Sequence, residues 1–399
     1  MIIDNFQIED HKLIHYLGRD NVVEIPNSIT SLDAWVFWQS AVTSITIPNS
    51  VTTIDIKAFD NCVHLENINV VEDNTNYTSI DGVLYSKDKK TLIRCPEGKT
   101  GSVTIPNSVT SIGREAFFYC NGLTSVTIPN SVTSIGVWAF GGCKALTSIS
   151  IPNSVTSIGS SAFCNCTGLT SVTIPNSVTS IESQAFYGCS GLTNIMIPDS
   201  VTSIGTNAFS DCKGLTSITI GNNVTSIEST AFYGCSALTS IKIPNSVTKI
   251  GAAAFCECFA LTNIEIPDSV IYHVFKNIDR FWNNIFLGCQ VKHKSIKNRV
   301  IAYKGFNSDM TCRDFQYEEG KTYICNKAKL CECGFHACLN PLDCFNYYYD
   351  KGSIYHEVIL EDICNKTGED SKICGKKITI GRRLTIKELF DIFNDLNKD

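Results

Sequence analysis

The fold class this sequence predicts is an α/β solenoid, a curved rod of about eleven 23-residue coils with an inserted β-hairpin, followed by a small α+β domain. Three observations predict it. The nine residues IPNSVTSIG stand at 105–113, again at 128–136 and again at 151–159. The Ile that opens each copy falls at Ile105, Ile128, Ile151, Ile174, Ile197, Ile220, Ile243 and Ile266, every step 23 residues, and Ile25, Ile47 and Val70 keep nearly the same beat upstream. After residue 298 the beat stops and the composition changes. A fixed period of this length is the signature of stacked supersecondary units, none of which buries its apolar face alone.

Each element of a coil follows from its residues. The full pattern, L-x-x-I-x-I-P-N-S-V-T-S-I-G-x-x-A-F-x-x-C, is carried in one copy by Leu123, Val126, Ile128, Val132, Ile135, Ala139, Phe140 and Cys143. The stretch ending in SVTI alternates apolar and polar, which makes a short strand with one face inward. Pro129 fixes φ and lacks an N–H, so the strand ends there. Asn130 and Ser131 supply turn chemistry. Val132 and Ile135 return inward. Ala139 and Phe140 are expected in a short helical or 3₁₀ turn, and Cys143 closes the coil. With strands ~4.8 Å apart, eleven coils make a rod of roughly 50 Å.

This pattern resembles the BspA-like class of leucine-rich repeats, found in bacterial and protist surface proteins. The resemblance covers residues ~20–290. The segment YTSIDGVLYSKDKKTLIRCPEGKTGSVTIP (77–106) is similar to that family's usual interruption, a β-hairpin between coils. Asp81-Gly82 is a good hairpin turn in its own right.

The expected organisation is an N-terminal cap over 1–22 and a solenoid over 23–290, with the hairpin insertion at 77–104 and a closing helix within 270–290. A linker over 291–298 then leads to an α+β domain over 299–399. In the closing segment Phe275, Ile278, Phe281 and Trp282 have helical spacing. In the last domain, strands are expected at RVIAYKGF, KTYIC, IYHEVILEDI and KKITIGRRL, with LCECGFHACLN a loop. Helices are expected at PLDCFNYYY, with Pro341 in its first turn, and at TIKELFDIFNDLN, where Thr385 and Glu388 make a capping box.

Charge and composition narrow the function. A net charge of −6 and a pI near 5.7 provide no basic field for nucleic acid or an anionic membrane. No run of 18 apolar residues is present, so no membrane-spanning helix is expected. The opening MIIDNFQIEDHK lacks a basic start and a long apolar stretch, so the expected location is cytoplasmic, or exported if a signal has been removed. Of 20 cysteines, Cys120, Cys143, Cys166, Cys189, Cys212, Cys235 and Cys258 also step by 23, and Cys62 fits the same slot. A column of small buried thiols is expected rather than a metal or redox ladder, and so many thiols favour a reducing compartment.

Recognition residues are sought on the surface. The outward strand positions, such as Ser125, Thr127, Ser148, Ser171 and Thr173, are nearly all Ser, Thr and Asn, and lack the Trp, Tyr and Arg of binding hot spots. The aromatics cluster instead around Ala-Phe. Trp35, Trp38, Phe118, Tyr119, Trp138, Tyr187 and Tyr233 are the candidate partner-binding residues, the partner being a protein. Each could equally lie flat on its neighbouring coil.

The last domain resembles an uncharacterised domain family of bacterial and phage proteins through AYKGFNSDMTCRDFQYEEGKTY and AKLCECGFHACLNPLDCFNYY. Two chemistries are weighed there. Cys331, Cys333, His336 and Cys338 are zinc-ligand types within eight residues. They lack the two separated pairs that converge on a tetrahedron, so no metal is expected. The layout is also loosely similar to ADP-ribosyltransferases, which implies Lys304 at the first site, His336 or Phe335 in the middle and Glu357 last, around NAD. Lys304 departs from that family's Arg or His, and no S-T-S motif is present. No cofactor is therefore expected, and no Walker loop, H-E-x-x-H or G-x-S-x-G occurs. The expected function is a non-catalytic recognition scaffold. The alternatives are a divergent NAD-binding transferase targeted by the repeats, and a surface adhesin implied by the resemblance of the repeats.

Overall fold

The computed structural model describes residues 2–3, 5–265, 287, 299–306, 311–312, 315–324, 335–338, 354–366 and 372–384. They divide into two compact units, the solenoid up to residue 265 together with Leu287, and the C-terminal domain from Arg299. The closing segment 272–286, the linker and both expected C-terminal helices lie outside the described residues.

Each coil contributes one strand to each of two parallel columns. In the first, Ser148–Ser150 pairs with Ser171–Thr173, placing Ile149 opposite Val172 inward and the hydroxyls outward. Pro152 then ends the strand, and the Val155 amide donates to its carbonyl at 3.0 Å to close a turn. In the second column Ser134–Ile135 lies between Ser111–Ile112 and Ser157–Ile158. The register between these copies is 23 residues without slippage, which identical copies require if every coil is to cover the next.

The Ser and Thr of the repeat bond one coil to the next. Ser131, Ser154, Ser177 and Ser200 each donate Oγ to a Val carbonyl of the preceding coil at 2.5–2.6 Å. Thr133, Thr202 and Thr225 donate likewise to the Thr of the previous coil.

Where a helical or 3₁₀ turn is expected around Ala-Phe, the structure has consecutive turns, and no helix occurs among the described residues. The cause is two left-handed residues per coil. One precedes Ala, as at Trp138, Ser161, Gln184 and Thr230, and one precedes Cys, as at Asn165, Asp211, Gly142 and Gly188. A positive φ every four residues interrupts any helical run. What the turns preserve is the Phe column. Phe117, Phe140, Phe163, Phe186, Phe209, Phe232 and Phe255 are fully buried and stack with ring centroids 4.8–5.5 Å apart.

At the N-terminal end, Phe6–Glu9 and Lys12–Tyr16 form an antiparallel hairpin whose second strand pairs with Ser31–Leu32. Phe6 and Tyr16 extend the aromatic column onto Phe37 at centroid distances of 5.3 and 5.7 Å. The insertion is Tyr77–Ile80 and Val83–Ser86, joined by Asp81-Gly82, both left-handed, and then Thr91–Arg94. This last strand joins the second column beside Ser111–Ile112.

The C-terminal domain is built on Arg299–Phe306, Phe335–Cys338, Ile354–Lys366 and Lys372–Leu384, whose pairings close into a ring. Residues 335–338, expected in a loop, are a strand registered on 372–375.

Candidate functional site

The outward strand positions are mostly small polar side chains, exposed or half-buried, and Val22 and Met196 are the large exposed hydrophobics among the described ones. The aromatic candidates separate into three groups. Phe118, Tyr119 and Trp138 come together: Phe118 lies 4.3 Å from Tyr119 and meets Trp138 edge-on at 5.7 Å. Their bed is Gly141-Gly142. A methyl at Gly141 would come 2.7 Å from the Trp138 ring, and one at Gly142 would run into Tyr119. Phe118 and Tyr119 thus pack on the next coil and Trp138 on the glycines of its own, although Tyr119 keeps an exposed edge.

Tyr187 and Tyr233, two coils apart, each bond an acid of the coil that follows, Asp211 and Glu257. Burial and then Asp211 push the Tyr187 phenol up, and the Glu257 bond does the same for Tyr233. Both rings are half-buried.

Trp35 and Trp38 differ, being 51% and 46% exposed. They sit in one turn, the Trp38 amide donating to the Trp35 carbonyl at 3.1 Å. The Trp35 amide is tied to the Lys57 carbonyl at 2.9 Å, and the Lys57 ammonium lies 5.6 Å from the Trp35 ring centroid. Trp35 is left-handed at φ 60°. Later coils fill this slot with Glu115, Ser161, Gln184, Asn207 or Ala253, so the fold does not require an aromatic there.

The thiol column is structural. Cys143, Cys166, Cys189, Cys212, Cys235 and Cys258 are buried, and each donates Sγ to the Phe carbonyl of the preceding coil at 3.0–3.2 Å. Burial drives the Cys143 and Cys189 thiols well above their ordinary range, which favours the protonated form.

In the C-terminal domain Lys304 is 3% exposed and stands opposite His356 across the strand pair, with the Phe306 and Tyr317 ring centroids 5.6 and 5.9 Å from its ammonium. Glu357 stands opposite Tyr303. Neighbouring positions on a strand point to opposite faces, so Lys304 and Glu357 are not brought together on one face. His336 is on the strand Phe335–Cys338, registered on Cys374, with Cys338 two positions along it. Cys331 and Cys333 lie outside the described residues, and no metal-binding cluster occurs among the described ones.

One charged group escaped the sequence reading. Asp60, Arg94 and Glu97 are buried together at the base of the insertion. The available signal was period two: Leu92 points inward on Thr91–Arg94, so Arg94 must as well.

Comparison with known proteins agrees with the repeat geometry. The profile of the BspA type leucine rich repeat region, in 6 copies, matches residues 20–100, 95–216, 156–292 and 202–328. A domain of unknown function, DUF7666, matches residues 300–392. No curated protein matches. Among solved structures, a leucine-rich repeat protein from Eubacterium ventriosum is 37% identical with a TM-score of 0.55, over 58% of this chain and 63% of that one. A leucine rich cell surface protein from Faecalibacterium prausnitzii is 27% identical with a TM-score of 0.37, over 66% of this chain and 94% of that one. The chain thus spans less than two thirds of the Eubacterium protein it matches. With its repeats matched from residue 20 to beyond residue 290, the chain belongs to the BspA-type leucine-rich repeat family.

Proposed function

We propose that this chain is a non-catalytic recognition scaffold whose solenoid holds a protein-binding edge at its first turn and carries the C-terminal domain. The observation that carries this reading is the pair Trp35 and Trp38. Two half-exposed indoles occupy one turn, the Trp38 amide donating to the Trp35 carbonyl. Indole is enriched at binding hot spots because it brings a large rigid contact area. The hydroxyl-rich strand face lacks such anchors. The separation of Lys304 from Glu357 weighs against a transferase site. Among the described residues eleven cysteines are free and buried, which supports a reducing compartment.

The test is the double variant Trp35→Ala, Trp38→Ala, since other coils tolerate small residues in these slots. It keeps the wild-type melting curve and loses the proteins that the wild-type chain captures from its source cells. Capture unchanged in the double variant contradicts the proposal.

A further inference from the structure

The Phe column has one interruption. Between Phe59 and Phe117 the insertion places Cys95, whose amide donates to the Ala116 carbonyl at 2.6 Å just as the Phe amides do in other coils. Arg94 and Glu97 flank it, and both are buried. The Arg94 Nη2 lies 2.9 Å from Glu97 Oε1 and 3.0 Å from Asp60 Oδ1, so one nitrogen serves two carboxylates. Arg94 Nη1 donates to the Glu115 carbonyl at 3.1 Å. Glu97 Oε1 also accepts the Asn61 amide at 3.0 Å, and the Gly98 amide donates to Leu65 at 2.8 Å. These contacts tie the base of the insertion to the coil before it and the coil after.

The charges facing this group do not balance. The preceding coil brings Asp60 and Lys57, and the Lys57 ammonium is over Trp35. The following coil brings Glu115, whose carboxylate is taken by Arg114 at 2.9 Å. The thiols Cys62 and Cys120 adjoin the group from either side, protonated and buried. One guanidinium therefore meets two carboxylates, and full ionisation leaves one buried negative charge uncompensated. Such a site gains by taking one proton.

We infer that Asp60, Arg94 and Glu97 form a proton-operated latch, which fastens the hairpin insertion to the preceding coil when it holds one proton and loosens when it loses it. Glu97 is the member that takes the proton. Burial first, then Asp60, raise its carboxyl against the pull of Arg94, to about 7. The sign follows. A carboxyl raised in the folded state adds stability that is complete below its unfolded value and is lost as pH rises through about 7. The latch is closed in mild acid and open in mild base, the reverse of the ordinary behaviour of paired carboxylates.

Hydrogen exchange on the full chain tests this, with rates corrected for intrinsic pH dependence. Protection at the Asn61 and Gly98 amides is expected to fall about tenfold between pH 6 and pH 8. Protection at the Phe186 amide, within the regular coils, stays level. Glu97→Gln mimics the protonated side chain and is expected to remove the fall, leaving these amides protected at both pH values. Should that variant fail to fold, Asp60→Asn leaves a one-to-one pair and is expected to be level too. A level wild-type profile overturns the latch. An equal fall in both wild type and a folded variant overturns it as well.

Discussion

Phe186→Ala is the perturbation that best probes how the rod is held together. Phe186 is fully buried and lies between Phe163 and Phe209, each ring 5.3 Å away and nearly parallel. Removing a buried Phe costs about 3–5 kcal/mol, and each aromatic contact adds about 0.5–1.5 kcal/mol beyond area. The surrounding turns are tied by the amides of Phe163 and Phe186, which donate to Ala185 and Ala208, so collapse into the cavity is limited. A loss of about 4 kcal/mol follows, equal to roughly a thousandfold in an opening equilibrium. Because a coil touches only its neighbours, the loss is local. Hydrogen exchange should show it at the Phe163, Phe186 and Gly188 amides, while the Phe37 amide in the first coils keeps its protection. A change below about 1 kcal/mol, or one spread evenly from Phe37 to Phe255, refutes the argument that stacked columns carry the stability.

Three further outcomes are expected. Thr230, β-branched and left-handed at φ 56°, should gain about 1 kcal/mol on change to Gly, once glycine's extra chain entropy is subtracted from the relieved strain. Gly142→Ala should lose stability, because Gly142 is left-handed at φ 77° and Tyr119 lies in the way; urea midpoints of both variants check the pair. Titrating the full chain with NAD by calorimetry should release no binding heat, since Lys304 and Glu357 sit on opposite faces. Heat that disappears in Glu357→Gln would reinstate the transferase reading.

Most of the solenoid could be read directly, because its cause is written once per coil. The 23-residue beat sets the register, and the Leu, Ile, Phe and Cys columns became the core. The missing helix could not be read, for a physical reason. The left-handed slot before Ala is not marked by glycine, being held by Trp138, Gln184, Thr230 and Ala253, and the one before Cys is glycine only in some coils, such as Gly142 and Gly188. The strand at 335–338 was hidden in a thiol-rich stretch whose pairing partner, 372–375, lies far along the chain. At the candidate site the seven aromatics could be named from sequence, but their exposure could not. Trp138 packs because the same coil supplies Gly141-Gly142, whereas Trp35 has no such bed. That difference depends on what the neighbouring coil places beside each ring.

The central claim is that the first turn, and not the strand face, meets the partner. Photo-crosslinking tests it most directly, with a benzophenone side chain replacing Trp38 in one variant and Ser148 in another, both expressed in the source cells. A discrete crosslinked protein is expected from position 38 and none from position 148. Crosslinks from position 148 alone would contradict it and move recognition to the hydroxyl-rich face.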